Sequence, residues 1–238
     1  MTTRSNSAAK ALQQVPFFAK LDSSEADQLA QRLVIRRFSA GQIIFHHGDP
    51  GGLLYIMTKG KIKIAHSNPD GQEALLDIMG VGAFFGELAL LDDSPRSATA
   101  EALEPTETLT LHREDFIRYI RSNPDFALHV LQTLAHTIRR TISQISDIFF
   151  LDLPGRLART LINLADEHGK EGENGILIDL NLTQTDLAEM TGATRVSINK
   201  ALGRFRRSKW VQVKGRKFTI TDRAALVNLI QVSGGSAY

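Results

Sequence analysis

Thirteen residues, Gly86-Glu87-Leu88-Ala89-Leu90-Leu91-Asp92-Asp93-Ser94-Pro95-Arg96-Ser97-Ala98, hold a turn glycine, a carboxylate, an arginine and a serine in one compact segment. Those residue types suit a sugar phosphate. A short helix opening at Gly86 would turn free backbone N–H groups toward an anion. Glu87 can accept a hydrogen bond from a ribose hydroxyl. Arg96 carries a planar fork that matches two phosphate oxygens at once. The plain alternative is a glycine turn followed by an exposed ion pair, so the rest of the chain has to decide.

A second constellation lies between Leu182 and Leu202. Thr183 stands at a helix N-cap, with Asp186 at the acidic position of a capping box. Ala188 is small where two helices must approach. Gly192 suits a tight turn, and Thr194 caps a second helix with Ile198, Ala201, Leu202 and Phe205 on its inner face. This is the pattern of a helix-turn-helix. The hairpin Val211–Ile220 follows as a basic wing. The candidate DNA-contacting residues are Thr183, Gln184, Thr194, Arg195, Val196, Ser197, Asn199 and Lys200, with Lys214 and Arg216 on the wing. Charge supports this reading. From Thr183 to Arg223 there are ten Lys/Arg and three Asp/Glu, a local +7 in a chain whose formal net charge is +2. A basic segment on a near-neutral protein is an electrostatic footprint for nucleic acid.

Composition excludes several classes. The 238-residue chain has no cysteine, so disulfides, thiol nucleophiles and Cys-ligated metal or Fe–S sites are ruled out. No apolar run nears the roughly 20 residues that cross a bilayer. The polar, Ser-rich start Met1–Lys10 lacks the apolar core of a secretory signal. A cytoplasmic protein is expected. His46-His47 has no third ligand at metal spacing, and no metal or other cofactor is expected. No nucleophile–base constellation appears, so an enzyme is not expected either.

The elements that position these groups follow from periodicity. Val15–Asp22, with Phe17 and Phe18, reads as a helical lead-in. From Leu33 to Leu111 short β-type runs alternate with turn signals. They include Gln42–Phe45, Leu53–Met57, Lys61–Ala65 and Glu73–Ile78, separated at Gly41, Gly48–Gly52, Lys59-Gly60 and Asn68–Gly71. Many short strands at this spacing imply a barrel or double-sheet jelly roll. The glycine–arginine segment falls between its strands. From Asn123 to Phe150 apolar residues recur at helical spacing. Leu131, Leu134, Ile138, Thr141, Ile145 and Ile148 form an a/d seam suited to a parallel two-helix dimer, with Ile142 on its flank. Packing of that helix on its own barrel is the alternative. The segment Leu151–Arg156 breaks this helix, and Pro154 and Gly155 mark the hinge between two domains. A further helix is expected from Arg156 to His168, then a polar turn Gly169–Gly175 and a strand Ile176–Ile178.

The glycine–arginine segment resembles the phosphate cassette of cyclic-nucleotide-binding domains, which reads Gly-Glu-Leu, a spacer, then Arg-Ser/Thr-Ala. Taken with the long helix, the Asp-x-Pro-Gly-Arg hinge and the winged helix-turn-helix, residues 15–222 resemble the cyclic-AMP receptor protein/fumarate-nitrate regulator family of bacterial transcription factors. The resemblance implies an α+β chain. Residues 1–14 would be a disordered tail and 15–122 a cyclic-nucleotide-binding β-jelly-roll effector domain. Residues 123–152 would form a dimerisation helix and hinge, and 153–238 a winged helix-turn-helix DNA-binding domain. It implies a homodimer that binds cyclic AMP, an inverted-repeat operator in double-stranded DNA and RNA polymerase. Glu87 would bind the ribose 2′-hydroxyl. Arg96 and Ser97 would bind the cyclic phosphate, and Phe85, Gly86 and Leu88 would shape the pocket. Thr141 would meet the adenine amino group.

The chain departs from the cyclic-AMP receptor at the next position. A hydroxyl residue reaches the partner's ligand there, whereas this chain has Ile142. The second helix departs too. Arg195-Val196-Ser197-Ile198 replaces Arg-Glu-Thr-Val and resembles the nitrogen-control branch, whose effector is 2-oxoglutarate. Three alternatives therefore stay open. The effector could be 2-oxoglutarate or cyclic di-GMP, the regulator could be effector-independent, or the barrel could be a regulatory subunit acting on a protein partner.

Overall fold

A computed structural model describes residues 29–235, with side chains as far as residue 233. The expected tail 1–14 and lead-in helix Val15–Asp22 lie outside the described residues. The chain divides after Ala135 into two compact units. Among the described residues, no helix is long and apolar enough to cross a membrane.

The first unit is a double-sheet jelly roll. Its strands are β1 (Val34–Phe38), β2 (Ile43–Phe45), β3 (Leu53–Lys59), β4 (Ile62–Ser67), β5 (Glu73–Met79), β6 (Phe84–Phe85), β7 (Thr99–Ala102) and β8 (Thr106–His112). They form two antiparallel sheets in the orders β1-β8-β3-β6 and β2-β7-β4-β5. Strand β3 shows why the run Leu53–Met57 is continuously apolar. Successive side chains point to opposite faces, and both faces of this strand are covered. Tyr55 and Met57 enter a cluster between the sheets with Ile62, Phe85 and Ala100. Leu54 and Ile56 enter a second cluster on the outer face with Leu109, Leu111 and Phe116.

That outer face is roofed by helices α1 (Leu88–Leu91), α2 (Arg113–Ser122) and the start of α3 (Pro124–Phe150). Phe126 and Val130 of α3 are buried there, and Leu134 packs half-buried against them. Three residues at four-residue spacing thus seat the first turns of α3 on the barrel's own core. Leu134, expected on the dimer seam, is partly used in this way. The outer stripe beyond it stays open, with Ile138 at 59% and Phe149 at 77% of full exposure.

The second unit holds the rest of α3, α4 (Leu153–His168), β9 (Gly169–Gly172), β10 (Gly175–Ile178), α5 (Gln184–Thr191), α6 (Arg195–Arg207), β11 (Val211–Lys214), β12 (Lys217–Ile220) and α7 (Arg223–Gly235). Two expectations need correction here. The helix breaks at Leu151-Asp152, within the expected segment Leu151–Arg156, but the next helix starts at Leu153 and not at Arg156. Asp152 caps α4 by accepting from the Gly155 amide at 2.9 Å, which leaves Pro154 in the first turn, where its missing N–H matters least. The segment expected as a polar turn after His168 contains strand β9. It pairs with β10 in the sheet β11-β12-β10-β9. Its polarity reflects an exposed edge position, so periodicity gave no strand signal.

Two ion pairs join α3 to α4, Asp147–Arg159 at 3.7 Å and Arg140–Glu167 at 3.5 Å. Arg156 donates to the carbonyls of Leu151 and Thr191, both at 3.0 Å, and so ties the break to the end of α5. The last turn of α7 reaches the same place, where Ser233 donates to Asp152 Oδ1 at 2.8 Å.

Candidate functional site

The glycine–arginine segment runs from β6 through α1 to β7. Gly86 takes φ +81°, a left-handed conformation that favours glycine. It is also crowded, since a Cβ there would collide with Nη1 of Arg96 and lie 3.2 Å from the Leu53 carbonyl. The four-residue helix α1 begins at Leu88 with Glu87 at its N-cap, two residues later in effect than an opening at Gly86. Leu88 is exposed on its outer side.

Arg96 is the centre of this site. It is only 4% exposed. Its Nη1 donates to the Gly86 carbonyl at 2.7 Å and its Nη2 to the Leu53 carbonyl at 2.8 Å. Nε is buried with no hydrogen-bond partner. The main chain is pinned as well. The Arg96 amide donates to the Asp49 carbonyl, and the Gly48 amide donates to the Arg96 carbonyl, both at 2.9 Å. Burial lowers the guanidinium pKa from its ordinary value. Glu87 is half-buried, and desolvation raises its carboxyl above the ordinary range against the opposing pull of Arg96. A buried, incompletely satisfied cation beside a carboxylate can take one anionic group and one hydroxyl group.

The structure brings Phe85, Gly86, Glu87 and Arg96 together. Phe85 is buried, its ring stacked on Tyr55 with centroids 5.0 Å apart. Ser97 is exposed beside Arg96. Each outer nitrogen of Arg96 gives one N–H to a main-chain carbonyl, which leaves Nε and the second N–H of each outer nitrogen as donors for the expected two-oxygen grip. Thr141 and Ile142 lie on α3 in the second unit and are exposed. The Thr141 hydroxyl donates to the Thr137 carbonyl of its own helix at 3.0 Å. Leu131, Ile138, Ile145 and Ile148 are exposed on the same helix. Sequence reading missed Phe45, Tyr55 and Leu53 as site neighbours. Aromatic residues in three separate strands were the available signal for the first two, while a backbone carbonyl leaves none.

In the second unit, the Thr183 and Asp186 side chains complete the capping box of α5. Asp186 Oδ2 accepts from the Thr183 amide at 2.6 Å, and the Thr183 hydroxyl accepts from the Asp186 amide at 3.1 Å. Gly192 closes the helix at φ +62°. Thr194 caps α6, accepting from the Ser197 amide at 3.2 Å. Ile198, Ala201, Leu202 and Phe205 are buried. Arg195, Val196, Asn199 and Lys200 are exposed, with Val196 at 65%. Thr183 and Ser197, expected as DNA contacts, use side-chain bonds within the motif itself. A cleft of about 370 Å³ lies between α5, Arg195 and the wing, lined by Thr183, Gln184, Val213 and Arg216 among others. Lys214 and Arg216 are exposed on the wing.

The His46-His47 pair acquires a neighbour that the sequence did not reveal, since the His66 ring lies 4.5 Å from that of His47. Among the described residues, no group of three His, Cys, Asp or Glu could hold a metal ion.

Comparison with known proteins agrees with both halves of the molecule. Residues 35–123 match the cyclic nucleotide-binding domain, and residues 155–229 match the Crp-like helix-turn-helix domain. A CRP-like cAMP-activated global transcriptional regulator of Mycobacterium tuberculosis is 34% identical over 209 residues, which is 88% of this chain and 93% of that protein. A global nitrogen regulator of Synechocystis sp. is 30% identical over 195 residues, 81% of this chain and 87% of its own. A CRP-family transcriptional regulator structure from Thermus thermophilus superposes with a TM-score of 0.69 at 27% identity, covering 85% of this chain and 100% of the other. A jelly roll built round a buried cassette arginine, followed by a long helix and a capped, winged helix-turn-helix, therefore places this chain in the CRP/FNR family of bacterial transcription regulators.

Proposed function

We propose that the protein is a homodimeric, effector-gated transcription regulator that binds cyclic AMP in the barrel and an inverted-repeat operator through α6. The observation that carries this reading is Arg96, a buried guanidinium whose Nε has no partner, set beside Glu87 at a glycine turn. One phosphodiester charge suits the guanidinium, and one ribose hydroxyl suits the carboxylate. The name of the Mycobacterium tuberculosis relative, which specifies activation by cAMP, supports the same effector. The open apolar stripe Leu131, Ile138, Ile145 and Ile148, with Ile142 on its flank, is the face assigned to the partner helix. In this reading residues 15–122 form the effector domain, 123–152 the dimerisation helix and 153–238 the DNA-binding domain. RNA polymerase is the partner at the promoter.

Calorimetric titration with cyclic AMP, cyclic GMP, cyclic di-GMP and 2-oxoglutarate tests the effector. Cyclic AMP should bind the wild type, and Arg96→Ala should lose about 2–5 kcal/mol, as for a partner removed from a buried charged contact. Unchanged affinity in Arg96→Ala, or binding of 2-oxoglutarate or cyclic di-GMP alone, would overturn the assignment.

A further inference from the structure

We propose that Phe45 and Tyr55 are positioning residues for the phosphate clamp, with Phe45 setting anion affinity by holding the Arg96 guanidinium face-on. This deepens the reading of the cassette as an anion site and rests on it.

The argument starts from charge. A guanidinium taken out of water loses several kcal/mol of hydration, even after relaxation. Ordinarily a carboxylate compensates. Among the described residues Arg96 forms no ion pair; Glu87 and Asp49 act on it only at longer range. What surrounds the cation is a ring of weaker acceptors. Two carbonyls take its outer nitrogens in the plane. Cζ of Arg96 also lies over the Phe45 ring, 4.3 Å from its centroid, and 5.7 Å from that of Tyr55. Aromatic faces attract cations most where both are desolvated.

The rings are held as a unit. Tyr55 stacks on Phe85 with an interplanar angle of 13°. Phe45 tilts against both, at 5.6 Å from Tyr55 and 5.9 Å from Phe85. Phe38 closes the other side of Tyr55 at 6.4 Å. Strand β2 is irregular here, since its register against β7 shifts between Ile43 and Phe45. That shift lets the consecutive residues Ile44 and Phe45 both pack on the inner cluster. A regular strand would send one of them outward. The irregularity therefore lets Phe45 share the inner face with Ile44.

The carbonyls fix the guanidinium in its plane, and the rings fix its tilt. Nε, which has no partner, and the second N–H of each outer nitrogen are aimed by that tilt. A ring lost at position 45 would cost binding through orientation and not through contact with the ligand.

The test uses the full chain and four variants: Phe45→Leu, Phe45→Tyr, Arg96→Ala and the double variant Phe45→Leu/Arg96→Ala. Leucine fills much of the same volume without a ring face; tyrosine restores the face. Phe45→Leu should weaken cyclic AMP binding roughly 3- to 30-fold, the range of a cation–π contact between exposed and desolvated settings. Phe45→Tyr, which keeps the ring face, should stay within about twofold of wild type, and the double variant separates loss of the ring–cation contact from cavity formation. Without nucleotide, the loss of melting temperature in the double variant should be smaller than the sum of the single losses, because the two residues share one interaction. If Phe45→Leu fails to fold, Phe45→Met takes its place.

Wild-type affinity in Phe45→Leu, or additive losses in the cycle, overturns the positioning role even where cyclic AMP binds. If the wild type does not bind cyclic AMP and the cycle is still non-additive, the effector assignment fails and the positioning role stands.

Discussion

Gly86→Ala separates two reasons for the glycine. The first is conformational. At φ +81° an alanine carries the left-handed penalty, about 1–2 kcal/mol. The second is spatial. The new Cβ would meet Nη1 of Arg96 and sit 3.2 Å from the Leu53 carbonyl. A flexible arginine would normally swing away at little cost, but this one is buried and doubly bonded to carbonyls. Moving it breaks at least one charged hydrogen bond, about 1.5–3 kcal/mol. The expected loss is therefore about 2.5–5 kcal/mol. Urea denaturation should show a lower midpoint at an unchanged slope. The decisive comparison is Gly86→Ala in an Arg96→Ala background. With the guanidinium gone, the arginine-dependent part should vanish, leaving the conformational part of about 1–2 kcal/mol and the tight contact with the Leu53 carbonyl. Equal losses in the two backgrounds would refute the claim that Gly86 makes room for Arg96.

Four other perturbations test other parts of the molecule. Burial raises the Glu87 carboxyl above its ordinary 4.5, so its stabilising contribution is complete below that pH and is lost as pH rises through the folded value; Glu87→Gln should melt higher than wild type at pH 7 and equal to it in acid, while binding cyclic AMP more weakly. Ile138→Asp would set two carboxylates together on the proposed dimer seam, and sedimentation should show monomer with operator binding lost. In the proposed mode of DNA binding Val196, which is exposed, offers only a methyl surface to the major groove; in an operator selection, Val196→Glu should shift one position toward a G·C pair by about 1–3 kcal/mol, and unchanged half-sites would exclude Val196 as a base reader. Ser233→Ala removes one of two hydrogen bonds to Asp152 Oδ1, and hydrogen exchange at the Gly155 amide should quicken while exchange in α6 stays as it was.

Local patterns carried much of this molecule into view. The capping box at Thr183/Asp186, the left-handed Gly192 and the inner face Ile198, Ala201, Leu202 and Phe205 all depend on spacings of three or four residues, and such spacings are visible in a sequence. The cassette was legible for the same reason. What stayed hidden depends on partners far apart in the chain. Arg96 is held by Leu53, 43 residues away, and Ser233 meets Asp152 across 81 residues. The clustering of Phe45, Tyr55 and Phe85 joins three strands far apart in the chain, and the register shift that lets Ile44 face inward beside Phe45 is one that no residue type announces. The α3 seam was read as one surface. Its first turns instead divide between two faces, Phe126, Val130 and Leu134 against the barrel core and Leu131 exposed. A hydrophobic period marks an apolar face without naming what covers it. The thirteen-residue cassette raises a related point: its residue types indicated an anion, while the aromatic rings that pack on Arg96 lie outside it.

Gating of DNA binding by an effector, as proposed above, has few physical routes. Helix α3 is the element that runs through the division between the units. Leu90 of the cassette helix α1 shares one core with Phe126 and Val130 of α3. Whatever moves α1 therefore disturbs the face on which α3 is seated, and packed cores respond to such shifts by switching between arrangements and not by bending smoothly. At its far end α3 is fastened to α4 by Asp147–Arg159 and Arg140–Glu167, and Arg156 carries the connection from Leu151 to Thr191 at the end of α5. Each link is a discrete contact that can exist in one arrangement and not in another, which is what a coupling between two sites requires. Such coupling is reciprocal: any factor by which effector tightens operator binding is the factor by which operator must tighten effector binding.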